Sequence, residues 1–370
     1  MSTDWDYRKK LTEKVLGKPG AFLAYFSLYD EMFELGGGGY VIQIQRPDEN
    51  WAPITHDTVL TAAQVLKVNS TLTLDGIKTK LAKELRVTYP PAQIEFTINL
   101  AVQTVFMIVS NVKSYSAPNY NIGKYHRPTW KPDETLAEFI SRCFPESSPE
   151  QQRHVGRALE DKVELSASNL ARRLGIEFKG TGNLAEHLLL DRNERVLYFF
   201  HHADYLRAQL GLWNDQATAK TIPIEEALVQ KGTLNPRLCA ETLFSLQSIF
   251  FCYNDDDSMN ILYDVIRKSG LDSTCCIHDG YHLFDNSDDD FTYVYWGERL
   301  LELHSFLKNP PPRSRFERWI RWQTSDSNSF LVAISALIIT IFVSVLTLGL
   351  TGFQAWVSWE AWKHPFELSG

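Results

Sequence analysis

The sequence has few cysteines and no excess of positive charge, and each shortage excludes a class of protein. Its five cysteines are odd in number and have no repeated spacing, which predicts free thiols in a reducing compartment rather than a disulfide framework. The formal net charge is −8, so the composition argues against a nucleic-acid partner. With 44% hydrophobic residues, the chain has the composition of a folded globular protein.

The N-terminal stretch lacks an apolar run behind its charged residues, so we predict neither a secretory signal peptide nor a transit peptide there. Residues 327–359, in contrast, are 33 residues without a charge. A helix over residues 329–352 would be about 36 Å long, which exceeds the roughly 30 Å of a hydrocarbon core. We predict one transmembrane helix there, whose bilayer-facing residues include Phe330, Leu331, Ile338, Ile339, Leu346 and Leu350.

The segments beside this span predict how it sits in a membrane. Residues 310–328 contain four arginines and Trp319 and predict a juxtamembrane segment, whereas residues 353–370 form a short Trp-rich tail. Trp356 and Trp359 in this tail are typical of an interfacial aromatic belt. Because positive charge is concentrated before the span, we predict a tail-anchored, single-pass protein with a cytosolic body. The endoplasmic reticulum or another endomembrane is the expected location.

The body before residue 310 has mainly helical apolar spacing, and we predict a mainly α, α+β fold. We divide it into an N-terminal α+β region, residues 1–135, and a mainly helical region, residues 136–309. Residues 185–200 predict a small β-hairpin that turns at residues 191–194. A helix before this hairpin leaves open a winged-helix element, but we favour one helix and one hairpin packed in an α+β core.

One motif raises the question of magnesium. Asn254, Asp255 and Ser258 match the first three positions of the NDxxSxxxE motif of terpene cyclases, but Leu262 replaces the final carboxylate. A magnesium site needs several oxygen ligands that face one pocket, and no DDxxD-type cluster lies upstream. We therefore predict no cofactor and keep Mg²⁺ as the alternative. The simpler expectation is an acidic loop that caps a helix beginning near Ser258.

This motif opens an acidic region, residues 254–298, which has eleven acidic and two basic residues. Such a region is most often a solvated surface, and as an interaction surface it would bind a basic protein partner. Asp255, Asp256 and His282 of this region, together with His201 earlier in the chain, are the candidate catalytic residues. No Ser or Cys nucleophile motif accompanies His201 and the adjacent His202, so packing and hydrogen bonding are the simpler role of these two histidines.

Three short motifs carry a family resemblance. They are Asn-Leu with His-Leu at residues 183–188, Phe-His-His at residues 200–202 and Trp-Gly-x-Arg-Leu at residues 296–300. From about Leu74 onward, the chain resembles a widespread family of uncharacterised filamentous-fungal membrane proteins. The resemblance implies a single C-terminal span and a fungal source, and it implies no catalytic activity.

Together these features predict a membrane-anchored interaction or accessory protein rather than an enzyme. The alternative is a membrane-associated enzyme of lipophilic small-molecule metabolism, such as terpenoid or other secondary-metabolite biosynthesis. A deep apolar cavity on which the candidate residues Asp255, Asp256, His201 and His282 converge would favour the enzyme.

Truncation after Ser325 tests the predicted anchor. The shortened chain should appear in the supernatant after carbonate extraction of membranes, because the truncation removes the long uncharged run. The intact chain should remain in the pellet. If the truncated chain also pellets, another part of the protein holds it on the membrane and the anchor assignment is wrong.

Overall fold

The computed structural model divides the chain into two units, Met1–Lys308 and Asn309–Gly370. Helices predominate in both, as predicted, and a small sheet lies in the first. The structure describes residues 2–37, 54–85, 89–110, 125–159, 162–213, 222–278, 292–310 and 326–363. Residues on both sides of the predicted boundary at residue 135 belong to the first unit.

Beside a small cluster of Trp213, Ile222 and Ala227, the helices of the first unit surround a large hydrophobic core. Their bounds are α1 Ser2–Leu16, α2 Leu23–Gly37, α3 His56–Val68, α4 Leu74–Glu84, α5 Pro91–Phe106, α6 Leu136–Cys143, α7 Pro149–Ala158, α8 Ala167–Leu174, α9 Ala203–Leu210, α10 Ile224–Lys231, α11 Pro236–Phe244, α12 Asp256–Ser269 and α13 Gly297–Lys308. A π-helical stretch, Ser245–Phe250, continues α11. Helix α3 packs against α1, α4, α5 and α10, and α10 also contacts α6, so the helices on both sides of residue 135 share this core.

The helix boundaries follow local capping chemistry. Thr73 and Ser166 stand before apolar-periodic runs, and their side chains accept hydrogen bonds from the backbone of α4 and α8. Thr135 and Glu138 form a capping box at the start of α6. Gly175 ends α8 with a φ of +67°, a left-handed conformation that glycine adopts without steric cost.

The sheet has three strands in the order β1-β3-β2: β1 Glu177–Thr181, β2 Leu190–Asp191 and β3 Val196–Phe200. Strands β2 and β3 pair antiparallel and form the predicted hairpin. Strand β1, which the sequence pattern did not predict, pairs in parallel with β3. Its Gly180 lies under Leu271, where a Cβ would be 2.5 Å from a Leu271 methyl carbon, so packing rather than strand propensity selects this residue.

The second unit contains one long helix, α14 Asp326–Lys363. Its 38 residues correspond to about 57 Å, and Ala333–Lys363 is the one candidate membrane span in the described part of the chain. The predicted bilayer residues Ile338, Ile339, Leu346 and Leu350 are 53–64% exposed within the unit.

The Trp-rich segment belongs to the same helix, because Trp356 and Trp359 lie before its end at Lys363. Both indoles are exposed. Phe330 and Leu331 fall within the helical backbone, but their side chains, like the whole of Trp319, lie outside the described residues.

Phe199 provides a test of the core. It lies on the central strand β3 and is 1% exposed, so Phe199→Ala should lower the free energy of unfolding by about 3–5 kcal/mol. Tyr263→Ala, at a position 52% exposed on α12, should change it by less than about 1 kcal/mol. Chemical denaturation followed by circular dichroism measures both, and equal effects would contradict the assigned packing.

Candidate functional site

A surface groove of about 800 Å³ is lined by three of the candidate residues from the sequence, Asn254, Asp255 and Asp256. Its other wall comes from residues 163–172, which include α8. We call this feature the acidic groove. It is an open depression at the N-termini of α8 and α12 rather than a deep apolar cavity.

Asp255 holds the two helices together at the base of this groove. It is the N-cap of α12, and its Oδ1 accepts from the Ser258 N–H at 3.1 Å. Its Oδ2 accepts from the hydroxyls of Ser258 at 2.5 Å and Ser168 at 2.9 Å. The Ser258 hydroxyl oxygen accepts from the Ser168 N–H at 2.9 Å. The predicted helix-capping role of the acidic loop is therefore confirmed.

The same hydrogen bonds determine the charge of Asp255. Partial burial opposes its ionisation, but the bonds from Ser258 and Ser168 outweigh burial and hold the pKa of this carboxyl below its ordinary value. The carboxylate thus carries a negative charge, and its lone pairs are directed at protein donors. A cation bound through Asp255 would have to displace at least one of these donors.

The remaining charges of the acidic groove are mostly negative and exposed. Asp256 and Asp257 occupy the first turn of α12, and Asp257 lies 3.5 Å from the guanidinium of Arg172 across the groove. Glu164 is 2.6 Å from the ammonium of Lys308, the last residue of α13. Four carboxylates therefore line a groove with one arginine in its wall.

Among the candidate catalytic residues that the structure describes, Asp255 and Asp256 share the acidic groove and His201 lies apart from them. Asp255 precedes α12, whereas His201 accepts a hydrogen bond from Asp272, which follows the other end of that helix. The 14 residues of α12 place these positions about 20 Å apart along its axis. His282 lies outside the described residues. Within the described residues, no group of three His, Cys, Asp or Glu side chains is arranged to hold a metal ion.

The three resemblance motifs do meet, but in a buried network rather than in a groove. Arg299 donates to the carbonyl oxygens of Ala185, at 2.9 Å, and of His187. Its guanidinium also lies 5.0 Å from the ring centroid of Trp296, a cation–π contact. Between the two carbonyls, Glu186 accepts from Arg127 at 2.6 Å.

His187 and Ser245 look at first like a catalytic pair, since His187 Nε2 is 2.8 Å from Ser245 Oγ. However, Nδ1 of His187 accepts from the Phe200 N–H at 3.1 Å, so the proton of the neutral ring is on Nε2. The Ser245 Oγ accepts the hydrogen bond from this N–H, and the Ser245 hydroxyl in turn donates to the Thr242 carbonyl oxygen at 2.7 Å. Without a basic nitrogen facing the hydroxyl, the pair is structural.

A second buried carboxylate fixes the chain before α13. Glu241, 0% exposed, accepts hydrogen bonds from the N–H groups of Val294 at 2.7 Å and Tyr295 at 2.9 Å, and from Arg237 at 3.1 Å. Burial raises its pKa to about 7 although these donors act in the opposite direction. Sequence reasoning missed Glu186 and Glu241, because nothing in the local pattern distinguishes them from surface charges, and it noted Arg299 only as part of the Trp-Gly-x-Arg-Leu motif.

Comparison of the chain with protein-family models, curated proteins and solved structures finds no match. The resemblance to a fungal membrane-protein family therefore stays a prediction, and function has to be argued from the geometry of the chain itself.

The buried histidines predict loss of stability in acid. Burial holds the pKa of His187 and His202 well below 6.5 and lowers that of His201 to about 4. The unfolded chain therefore takes up more protons as pH falls below 6.5, and each histidine costs about 2 kcal/mol by pH 5.

Glu241 contributes to the pH dependence of stability with the opposite sign. Its raised pKa makes the folded state take up a proton as pH falls from 7, before the unfolded state does so near pH 4.5. Protonation of Glu241 therefore offsets about 2 kcal/mol of the stability that the three histidines cost at pH 5. The free energy of unfolding should thus fall by on the order of 4 kcal/mol from pH 7 to pH 5. Denaturant titrations at the two pH values measure it, and an unchanged or higher stability at pH 5 would contradict the burial of the histidines.

Proposed function

We propose that the chain is a membrane-tethered interaction protein whose acidic groove binds a basic segment of a partner protein. The observation that carries this proposal is the set of four carboxylates along a groove that the hydrogen bonds of Asp255 preorganise. Arg172 pairs with Asp257, and Lys308 and Arg173 pair with Glu164. Such a charge distribution attracts a basic chain and orients it during encounter.

Apolar side chains beside the acidic groove support a peptide ligand over a simple ion. Val163 and Tyr253 are each 75% exposed and lie next to the groove residues Glu164 and Asn254 in the chain. Exposed aromatic residues of this kind are frequent energetic centres of protein interfaces. We therefore expect a partner segment with both basic and apolar residues.

The lipid bilayer is the second partner in this proposal. The exposed Ile, Leu and Phe side chains of α14 would be an unfavourable surface in water, and hydrocarbon would cover them. Its length and apolar composition support insertion, and the basic residues before it support a cytosolic body on the endoplasmic reticulum or another endomembrane. The tether would concentrate the groove near partners on the same membrane.

The rival proposal is a membrane-associated enzyme of lipophilic small molecules, and its terpene-cyclase-like form would use Mg²⁺ at Asn254, Asp255 and Ser258. A calorimetric titration of the full-length protein with Mg²⁺ tests it, and Asn254→Ala is the informative variant because it leaves the Asp255 cap in place. Micromolar binding that this variant loses would favour the enzyme over the interaction protein.

Neutralising the rim of the acidic groove tests the docking proposal. The double variant Asp256→Asn, Asp257→Asn should weaken binding of a labelled peptide rich in Arg and Leu by roughly threefold to thirtyfold, because each rim charge contributes up to about 1 kcal/mol. Fluorescence anisotropy with the full-length protein in detergent micelles measures this. Raising the salt above about 0.15 M should weaken wild-type binding in the same direction.

The matched control is Glu225→Gln, Glu226→Gln. It removes two acidic residues from the first turn of α10, so the change in net charge and the loss of a favourable helix-dipole interaction are the same. The control should bind the peptide like the wild type. Equal weakening by both double variants would show that only overall charge matters, and the groove assignment would fail.

A further inference from the structure

Two adjacent histidines occupy the junction between β3 and α9. The ring centroids of His201 and His202 are 4.0 Å apart. His202 is 1% exposed, and neither of its ring nitrogens has a hydrogen-bond partner among the described residues. A protonated His202 ring would therefore have two N–H donors and no hydrogen-bond acceptor among the described residues of the junction.

His201 joins this junction to the segment that follows α12. Its Nδ1 accepts from the Asp272 N–H at 3.3 Å, and its carbonyl oxygen accepts from the Cys275 thiol at 2.9 Å. In return, Oδ2 of Asp272 accepts from the Asp204 N–H at the start of α9, at 3.2 Å. Hydrogen bonds thus hold residues 272–277 against β3 and α9, and one of them depends on the neutral imidazole of His201.

We infer that His201 is a proton-sensitive latch, which holds residues 272–277 on the β3–α9 junction when neutral and loosens them when protonated. The reason is geometric: Nδ1 receives an N–H from the Asp272 backbone, and a protonated Nδ1 is a donor that cannot accept it. The two N–H groups would then face each other, and the segment would have to move. The inference is independent of the proposed docking function.

The groups that face the latch determine its response. Asp272 favours the protonated ring, whereas burial outweighs it and the adjacent His202 opposes a second charge beside it. Arg207 of α9 donates to the Thr274 and Ile277 carbonyl oxygens and keeps the segment attached in part. From β1 and the end of α12, Gly180 and Leu271 contribute no charge. Among the residues that the structure describes, the titratable and charged groups around the ring are therefore His202, Asp204, Arg207, Asp272, Cys275 and Cys276.

Linkage gives the size of the effect. The pKa of His201 is about 4 in the closed structure and near 6.5 in an open one. The open population should therefore rise roughly twentyfold between pH 7 and pH 5.

The thiol of Cys275, 3% exposed, reports this opening. We would label the full-length protein with 4,4′-dithiodipyridine at pH 7 and pH 5 in a Cys252→Ser, Cys276→Ser background, and read out modification by mass spectrometry. Rates are divided by those of the unfolded protein at the same pH. Labelling of Cys275 should accelerate roughly twentyfold, whereas Cys239, 0% exposed in α11, should stay protected.

His201→Asn is the matched control, since its Oδ1 stands in for Nδ1 as an acceptor and does not titrate. This variant should lose most of the pH dependence of Cys275 labelling, and persistence of the full acceleration would overturn the latch. If the variant does not fold, the labelling of Cys275 relative to Cys239 in the wild-type position-201 background still tests the latch. Loss of protection at Cys275 and Cys239 together would mean global unfolding and would contradict a local latch.

Discussion

Burial of charged groups with all their partners in place is the constraint on which the rest of this structure depends. Glu186 lies in the interior and Arg299 is partly buried beside it, and leaving the buried Glu186 carboxylate without its partner would cost about 3–5 kcal/mol. Their partners come from distant parts of the chain: Arg127 before α6, the carbonyl oxygens of Ala185 and His187, and Trp296 before α13. The network therefore fixes the β1–β2 connection against α13.

The acidic groove depends on the same rigid framework. Strand β1 and α8 both contact α12, and Asp255 joins the N-termini of the two helices. The exposed carboxylates of Asp256 and Asp257 are consequently presented by a fixed backbone rather than by a mobile loop. Preorganisation of this kind lowers the entropic cost of binding, which is what a docking surface requires.

Short-range chemistry made much of this fold predictable. Thr73, Ser166 and Gly175 delimit helices because capping is decided within a few residues, and the apolar segment in α14 is evident from composition alone. Strand β1 escaped prediction because Lys179 and Gly180 give it no strand pattern, and its partner β3 and the overlying Leu271 decide its conformation. Of the two walls of the acidic groove, only the wall that contains Asp255 was predictable from the sequence. Asp255 stands out in the sequence, but its contact with Ser168 spans 87 residues.

Hydrogen–deuterium exchange of the full-length protein in lipid vesicles, with and without the Arg- and Leu-rich peptide, tests the central claim most directly. A docking groove predicts slower exchange in two separate stretches, residues 163–172 and residues 252–258, and little change around the exposed face of α10. Protection of only one stretch, of α10 instead, or of neither at saturating peptide would contradict the claim that this groove is the binding surface.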